Sequence, residues 1–247
     1  MISKEKEIKS VWILGSTSKV AQSICIELAK NGCKKFFLLA RNKIKNKQFS
    51  TNLRRKYNVL VEETYIDLEK FDFSKDEAAL QVSNCDLYII TAGILGDNDL
   101  AKKDFYEAKK IIDVNFTSII AWINVITTNE RLNKRSALWI FTSVAADRGR
   151  PSNYFYGAAK SGLQIFSEGL ISRCFKKKFS VRVIKAGYMD TPMTIGKAPK
   201  IFCISTSKVA KILLRRPFKR GTEYMPWFWN PIMFLIRLLP NKIVSKL

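Results

Sequence analysis

The sequence predicts a single α/β domain, a doubly wound parallel sheet flanked by helices on both faces. Three observations predict it. The chain has 247 residues, the length of one α/β domain, and 47% are hydrophobic, ample for a full core and too many for a disordered chain. Its strand-like segments are short, continuous apolar runs, the pattern of strands buried on both faces. Helical periodicities separate those runs, and the first strand–helix–strand unit closes within about 30 residues, the size of a parallel crossover.

The elements follow in order. Met1 to Ser10 is rich in Lys and Glu and has no apolar run, so neither a signal peptide nor a membrane anchor is expected there. Val11 to Leu14 reads as a buried strand, and Gly15-Ser16-Thr17-Ser18 as the turn after it. Val20, Ile24 and Leu28 recur every fourth residue, giving a helix with one apolar stripe that Asn31-Gly32 ends. Phe36–Ala40, Val59–Ile66 and Asp86–Thr91 read as strands. A long helical stretch runs from Leu100 to Thr128. Ala137–Thr142 is a strand, Tyr156–Phe175 a helix, and Val181–Lys185 a strand. Composition shifts after about residue 212, toward basic and then aromatic residues. We therefore expect one domain over residues 1–247, a core at 1–222 and an apolar and basic extension at 223–247.

Composition excludes some chemistry. There is no histidine, so an imidazole base or a His-ligated zinc is ruled out. The five cysteines (Cys25, Cys33, Cys85, Cys174, Cys203) form no Cys-x-x-Cys pair, which argues against a metal knuckle or disulfide scaffold and predicts small buried hydrophobes in a reducing cytosol. The 43 Lys and Arg against 21 Asp and Glu leave a formal charge of +22. That balance suits an anionic partner, or else reflects lysine spread along the whole chain. No RNA- or DNA-binding motif accompanies it, so nucleic acid is not an expected partner.

The turn between a first strand and a first helix is where such a sheet cradles a pyrophosphate, on helix N-terminal amides. Gly15, Ser16, Thr17, Ser18, Lys19 and Val20 occupy that turn, with Lys19 and Ala21 where further glycines would fall. Arg41 follows the second strand, where an acid would grip the ribose of NAD. An arginine suits the 2′-phosphate of NADP instead, with Lys19 as a second contact. NADPH is thus the expected cofactor, with NADH an alternative. Asp67-Leu68 comes just after the third strand, where a carboxylate can meet the adenine. Thr91-Ala92-Gly93 ends the fourth with residues small enough for a flat cofactor to lie on the backbone.

Tyr156 and Lys160 lie four apart, on one face of a helix, and Ser143 comes thirteen residues earlier at the carboxyl end of a strand. Asn115 sits in Asp113-Val114-Asn115. With these residues the chain resembles the short-chain dehydrogenases and reductases over nearly its whole length. Asn115, Ser143, Tyr156 and Lys160 match that family's catalytic tetrad. Thr91-Ala92-Gly93 is similar to its Asn-Ala-Gly motif, and Ala186-Gly187 to its Pro-Gly motif. The resemblance implies a Rossmann fold, Gly187 at the cofactor, Thr191 on the nicotinamide carboxamide, and a homo-oligomer, dimer or tetramer, through the helix bearing Tyr156 and Lys160.

A narrower group is also similar, the reductases of decaprenylphosphoryl-2-keto-ribose. Gly15 to Ser18, Ala92 to Asp97 and Ala146 to Asn153 carry the likeness, with a Pro-Trp segment and Leu-Pro near the end. That resemblance implies reduction of a ketosugar on a polyprenyl phosphate, after a flavin-dependent oxidase, in cell-envelope polysaccharide synthesis. Such chemistry needs a proton donor, Tyr156, tuned below the ordinary phenol pKa of about 10 by Lys160 and the oxidised cofactor's charge. It also needs a hydrogen bond to the carbonyl oxygen, from Ser143. Asn115 would hold a water that relays protons to Lys160. Arg148 and Arg150 are expected to face the substrate's phosphodiester, with Asp147 pairing with one of them. The alternatives are another carbonyl substrate (a soluble ketone, polyol or acyl thioester) or a non-catalytic NADP-binding protein.

The apolar stretch Trp227 to Leu239 is too short to span a bilayer. Arg215, Arg216, Lys219 and Arg220 precede it and Lys242 and Lys246 follow, so a membrane interface is expected. A helix on the substrate pocket or a dimer contact is the alternative. The expected location is cytoplasmic, peripheral to the inner face of the cytoplasmic membrane.

Overall fold

A computed structural model describes residues 7–70, 82–132, 134–194 and 200–246. The reading of the N-terminal stretch as free of any anchor concerns, for residues 1–6, positions outside this range. Seven strands form one parallel sheet: β1 (Ser10–Leu14), β2 (Lys35–Ala40), β3 (Leu60–Tyr65), β4 (Leu87–Ile90), β5 (Ala137–Ser143), β6 (Ser180–Ala186) and β7 (Gly221–Met225). Their spatial order is β3-β2-β1-β4-β5-β6-β7. The order reverses between β1 and β4, which opens a crevice at the carboxyl ends of those two strands.

Each face of the sheet buries its own core. On one side Ile13, Ile89 and Trp139 pack under α1 (Lys19–Lys30) and α8 (Thr206–Leu214), through Ile24, Leu28, Val209 and Leu213. On the other, Trp12, Tyr88 and Ile140 meet α5 (Ser118–Ile126) and α7 (Tyr154–Arg173), through Trp122, Ile123, Leu163 and Leu170. Continuous apolar strands follow from this double coverage: β4 and β5 bury side chains pointing both ways.

The structure adds elements and moves boundaries. Helix α2 (Lys43–Tyr57) was not expected, because its buried residues are Asn46, Ser50 and Leu53, which leave no apolar stripe. Helix α8 and strand β7 were missed as well. The expected core boundary after residue 222 falls inside β7, which pairs with β6 from Arg182↔Gly221 to Ala186↔Met225. The long helix expected from Leu100 to Thr128 is broken into α3 (Asn98–Ala101), α4 (Phe105–Ile112) and α5. Asp104 starts α4 anew by accepting the Tyr106 amide at 2.8 Å. Between α4 and α5 the backbone widens into a π-turn, Asp113–Thr117, that carries Asn115. Helix α6 (Asn129–Leu132) leads into β5. After β7 come α9 (Trp229–Leu238) and α10 (Asn241–Val244). Four cysteines are buried as expected, whereas Cys203 is half-buried.

Candidate active site

The cleft begins at Gly15. Its φ is +92°, and a β-carbon there would stand 2.5 Å from the Ala92 amide nitrogen. Only glycine lets the turn after β1 lie on the chain leaving β4. The Gly15 and Ser16 amides both donate to Leu39 O, at 2.9 and 3.1 Å, pinning the turn to β2. Ser18 caps α1, accepting the Ala21 amide at 3.2 Å, and its hydroxyl donates to Thr91 Oγ1 at 3.1 Å. Thr91 in turn donates to Gly15 O at 3.0 Å. The threonine thus ties the turn to the end of β4.

A cleft of about 360 Å³ follows, lined by Gly15, Thr17, Ser18, Arg41, Asp67, Leu68, Ala92 and Gly93 among the expected cofactor residues. Ser16 is not among them. It is fully buried, with its hydroxyl donating to Asn46 Oδ1 at 2.7 Å, so it holds the turn rather than facing a ligand. Lys19 and Val20 are in the first turn of α1, outside the lining, with Val20 in the core. Two residues from the unexpected start of α2 join Arg41 instead: Asn42, whose Oδ1 accepts the Lys45 amide at 2.9 Å, and Lys45. No apolar periodicity announces α2, and only the Asn42 cap could have signalled it. The cationic corner is therefore Arg41 with Lys45, where Arg41 with Lys19 was expected. The Arg41 guanidinium lies 3.9 Å from Glu69 and is more than half exposed.

Gly93 joins this cleft to the expected catalytic residues. A β-carbon there would come within 2.6 Å of Asn115 Oδ1 and 3.2 Å of Lys160 Nζ. The cleft runs along bare backbone at Gly15 and Gly93, a surface that fits a flat dinucleotide. Asn115 is wholly buried, and its amide nitrogen donates to Ile94 O at 2.8 Å and Ile111 O at 2.9 Å while Oδ1 accepts the Ile94 amide at 3.1 Å. It clamps the loop after β4. What bears on a water relay is that its Oδ1 and Lys160 Nζ both border Gly93.

Ser143 ends β5, and its hydroxyl accepts the Ala145 amide at 3.1 Å. It also hydrogen-bonds the Tyr156 phenol, which the first turn of α7 brings over it. Lys160, one turn on, is 4% exposed, and its ammonium lies 5.8 Å from the Tyr156 ring centroid and 3.5 Å from Phe141 O. Burial pushes the Tyr156 phenol up, only partly offset by the Ser143 hydrogen bond. That reverses the expected downward tuning by Lys160, whose ammonium sits over the ring face.

Burial also brings the Lys160 ammonium down to about 8. Unfolded Lys160 keeps its proton up to about pH 10.4, so between pH 8 and that value the unfolded chain binds more protons and stability rises with pH. Below pH 8 the folded protein carries the full cost of a buried cation. Lys160→Met is therefore expected to melt above the parent protein at pH 7, with the gap closing toward pH 10, in thermal unfolding of the unliganded chains.

The structure places four further expected residues around the site. Arg148 donates to Leu239 O at 3.2 Å and Asn241 Oδ1 at 2.6 Å, holding the C-terminal segment. Arg150 is half-buried, with its Nε buried and unpartnered, and it is not in the cleft lining. Asp147 pairs with neither arginine but with Lys185 at 2.5 Å, and accepts the Tyr224 hydroxyl at 2.7 Å. Trp229 packs on Gly187, where a β-carbon would fall 2.1 Å from the indole nitrogen. The glycine makes room for α9. Thr191 lies beyond it in a local turn, its hydroxyl 3.1 Å from that of Thr194.

A profile of short chain dehydrogenases matches residues 9–201. The chain belongs to the short chain dehydrogenase family. It is 29% identical over 160 residues to an uncharacterized oxidoreductase of Mycobacterium tuberculosis, covering 64% of each chain, so it spans under two thirds of that relative's length. An acetoacetyl-CoA reductase of Allochromatium vinosum is 25% identical over 187 residues, 74% of this chain and 76% of that one. A short chain dehydrogenase of Shigella flexneri, solved with NADP, superposes with a TM-score of 0.75 at 16% identity, over 87% of this chain and 95% of the other. This last likeness shows the shared fold.

Proposed function

We propose that the protein is an NADPH-dependent carbonyl reductase. One observation carries the reading: the Ser143–Tyr156–Lys160 cluster opens through Gly93 onto a cleft with Arg41 and Lys45 at its far corner. A nicotinamide cofactor held in that cleft supplies the hydride. Tyr156 gives its proton to the carbonyl oxygen as negative charge develops there. Ser143, already hydrogen-bonded to the phenol, donates to the same oxygen. Lys160, with a pKa about 8, is poised near neutrality to hand on the replacement proton. Arg41 and Lys45 favour a 2′-phosphate through charge-assisted hydrogen bonds.

For the substrate, we propose a 2-ketosugar carried on a polyprenyl phosphate, reduced after a flavin-dependent oxidase at the inner face of the cytoplasmic membrane. The motifs Gly15 to Ser18, Ala92 to Asp97 and Ala146 to Asn153 support this reading, as does an α9 that walls the site with Trp229. The second reading is an acyl thioester or soluble ketone, favoured by the likeness to the acetoacetyl-CoA reductase. The test is a coupled reaction of purified protein, the oxidase, polyprenyl-phosphoryl ribose and NADPH. Arabinose in the released sugar supports the lipid-linked reading; ribose alone, together with turnover of acetoacetyl-CoA, supports the second.

A further inference from the structure

No helix of the described residues is long and apolar enough to cross a membrane. Helix α9 is nevertheless apolar on two opposite sides. One side packs inward: Trp229 and Met233 are buried with Val144, the residue after Ser143. The other side faces outward. Phe234, Leu235 and Leu238 are 55%, 62% and 68% exposed, and Trp227, in the turn before the helix, is 76% exposed. At about 100° per residue these three helix positions, with exposed Pro231, fall within one arc of about 100°.

The segment that carries the face holds charge of one sign. Residues 226–247 contain no acid and three cations, Arg237, Lys242 and Lys246, all exposed. The last acid before them, Glu223, is already bound by Arg182 and Lys219. An apolar stripe with a tryptophan at one end and cations at its side and far end matches the headgroup boundary of an anionic bilayer. A second copy of the chain would bring the same cations against one another.

We propose that α9 and the preceding turn seat the protein on anionic lipid, with Trp227, Phe234, Leu235 and Leu238 in the acyl boundary. Because the opposite side of the same helix rests on Gly187 and Val144, and Arg148 ties its end to the loop after Ser143, the seated helix adjoins the active site. The inference rests on the function proposed above only for what the seating serves. Docking itself is read without turnover.

Tryptophan emission supplies the readout. Of the five tryptophans, Trp12, Trp122, Trp139 and Trp229 are buried, so a change on binding reports Trp227. With vesicles of equimolar phosphatidylglycerol and phosphatidylethanolamine, we expect co-sedimentation and a blue shift that Trp227→Phe removes. With phosphatidylcholine vesicles, sedimentation falls severalfold. The double variant Leu235→Glu, Leu238→Glu, which alters only exposed positions, loses vesicle binding while still binding NADPH. Unshifted emission with the protein left in the supernatant would overturn the proposal. So would undiminished binding by the double variant, which would assign docking to the general basic surface. A blue shift that grows with protein concentration in the absence of vesicles would also overturn it, in favour of a second copy on this face.

Discussion

Tyr156→Phe is expected to lower turnover by roughly 10²–10⁴-fold, the usual contribution of a positioned general acid, while NADPH still binds. The geometry makes the loss specific. The phenol hydroxyl is the one acidic group hydrogen-bonded to Ser143, and burial favours its protonated form, the form a donor needs before the hydride arrives. Phenylalanine keeps the ring beside Lys160 and removes only that proton. The cofactor cleft is built from Gly15, Arg41 and Gly93 and is untouched by the change. Cofactor titration and single-turnover kinetics on the same preparation separate the two effects. A variant that loses turnover only in proportion to lost NADPH binding would place Tyr156 in binding rather than in proton transfer.

Lys185→Met is expected to cost about 3–5 kcal/mol of stability, the scale for stranding one partner of a buried ion pair. Lys185 is 5% exposed, and the Asp147 carboxylate beside it at 2.5 Å is 4% exposed. Methionine fills similar space but leaves the carboxylate with the Tyr224 hydroxyl as its remaining side-chain partner. The urea midpoint should fall with the slope unchanged. Adding Asp147→Asn to the same chain should recover most of the loss, because the stranded charge is then gone. The effect reaches the site as well. Asp147 lies four residues after Ser143, at the end of the 3₁₀ turn Val144–Ala146, and Lys185 neighbours Ala186, the register partner of Ser143. The ion pair therefore fixes the loop that aims Ser143 against the sheet.

Much of this architecture was legible because its signals are local. Strands β1, β4, β5 and β6 are continuous apolar runs, and α1 shows its stripe at Val20, Ile24 and Leu28. The Tyr156–Lys160 spacing places both residues on one helix face whatever surrounds them. Elements that bury polar groups were not legible. Helix α2 docks through Asn46, which donates to Leu38 O at 3.0 Å and accepts from Ser16, and nothing in its sequence announces such a core contact. In β7 only Met225 is fully buried, while Glu223 is engaged by buried Arg182, so the strand reads as a polar loop.

Site residues divided along the same line. Gly15, Arg41 and Gly93 follow from their position relative to strands. The surroundings of Gly187 and Arg148 were not legible, because their partners, Trp229 and Asn241, are distant in sequence and meet them only once α9 and α10 fold back. Lys45 was hidden with the helix that carries it. The direction of the Tyr156 shift was misread for another reason: spacing puts Lys160 beside the ring, and only coordinates show that its ammonium lies over the ring face.

The most direct measurement of the central claim is the coupled reaction run with NADPH deuterated at carbon 4 of the nicotinamide. One deuterium is expected at the new carbinol carbon of the product, formed by the wild-type chain and absent with Tyr156→Phe. An unlabelled product, or a labelled product formed equally fast by Tyr156→Phe, would contradict it.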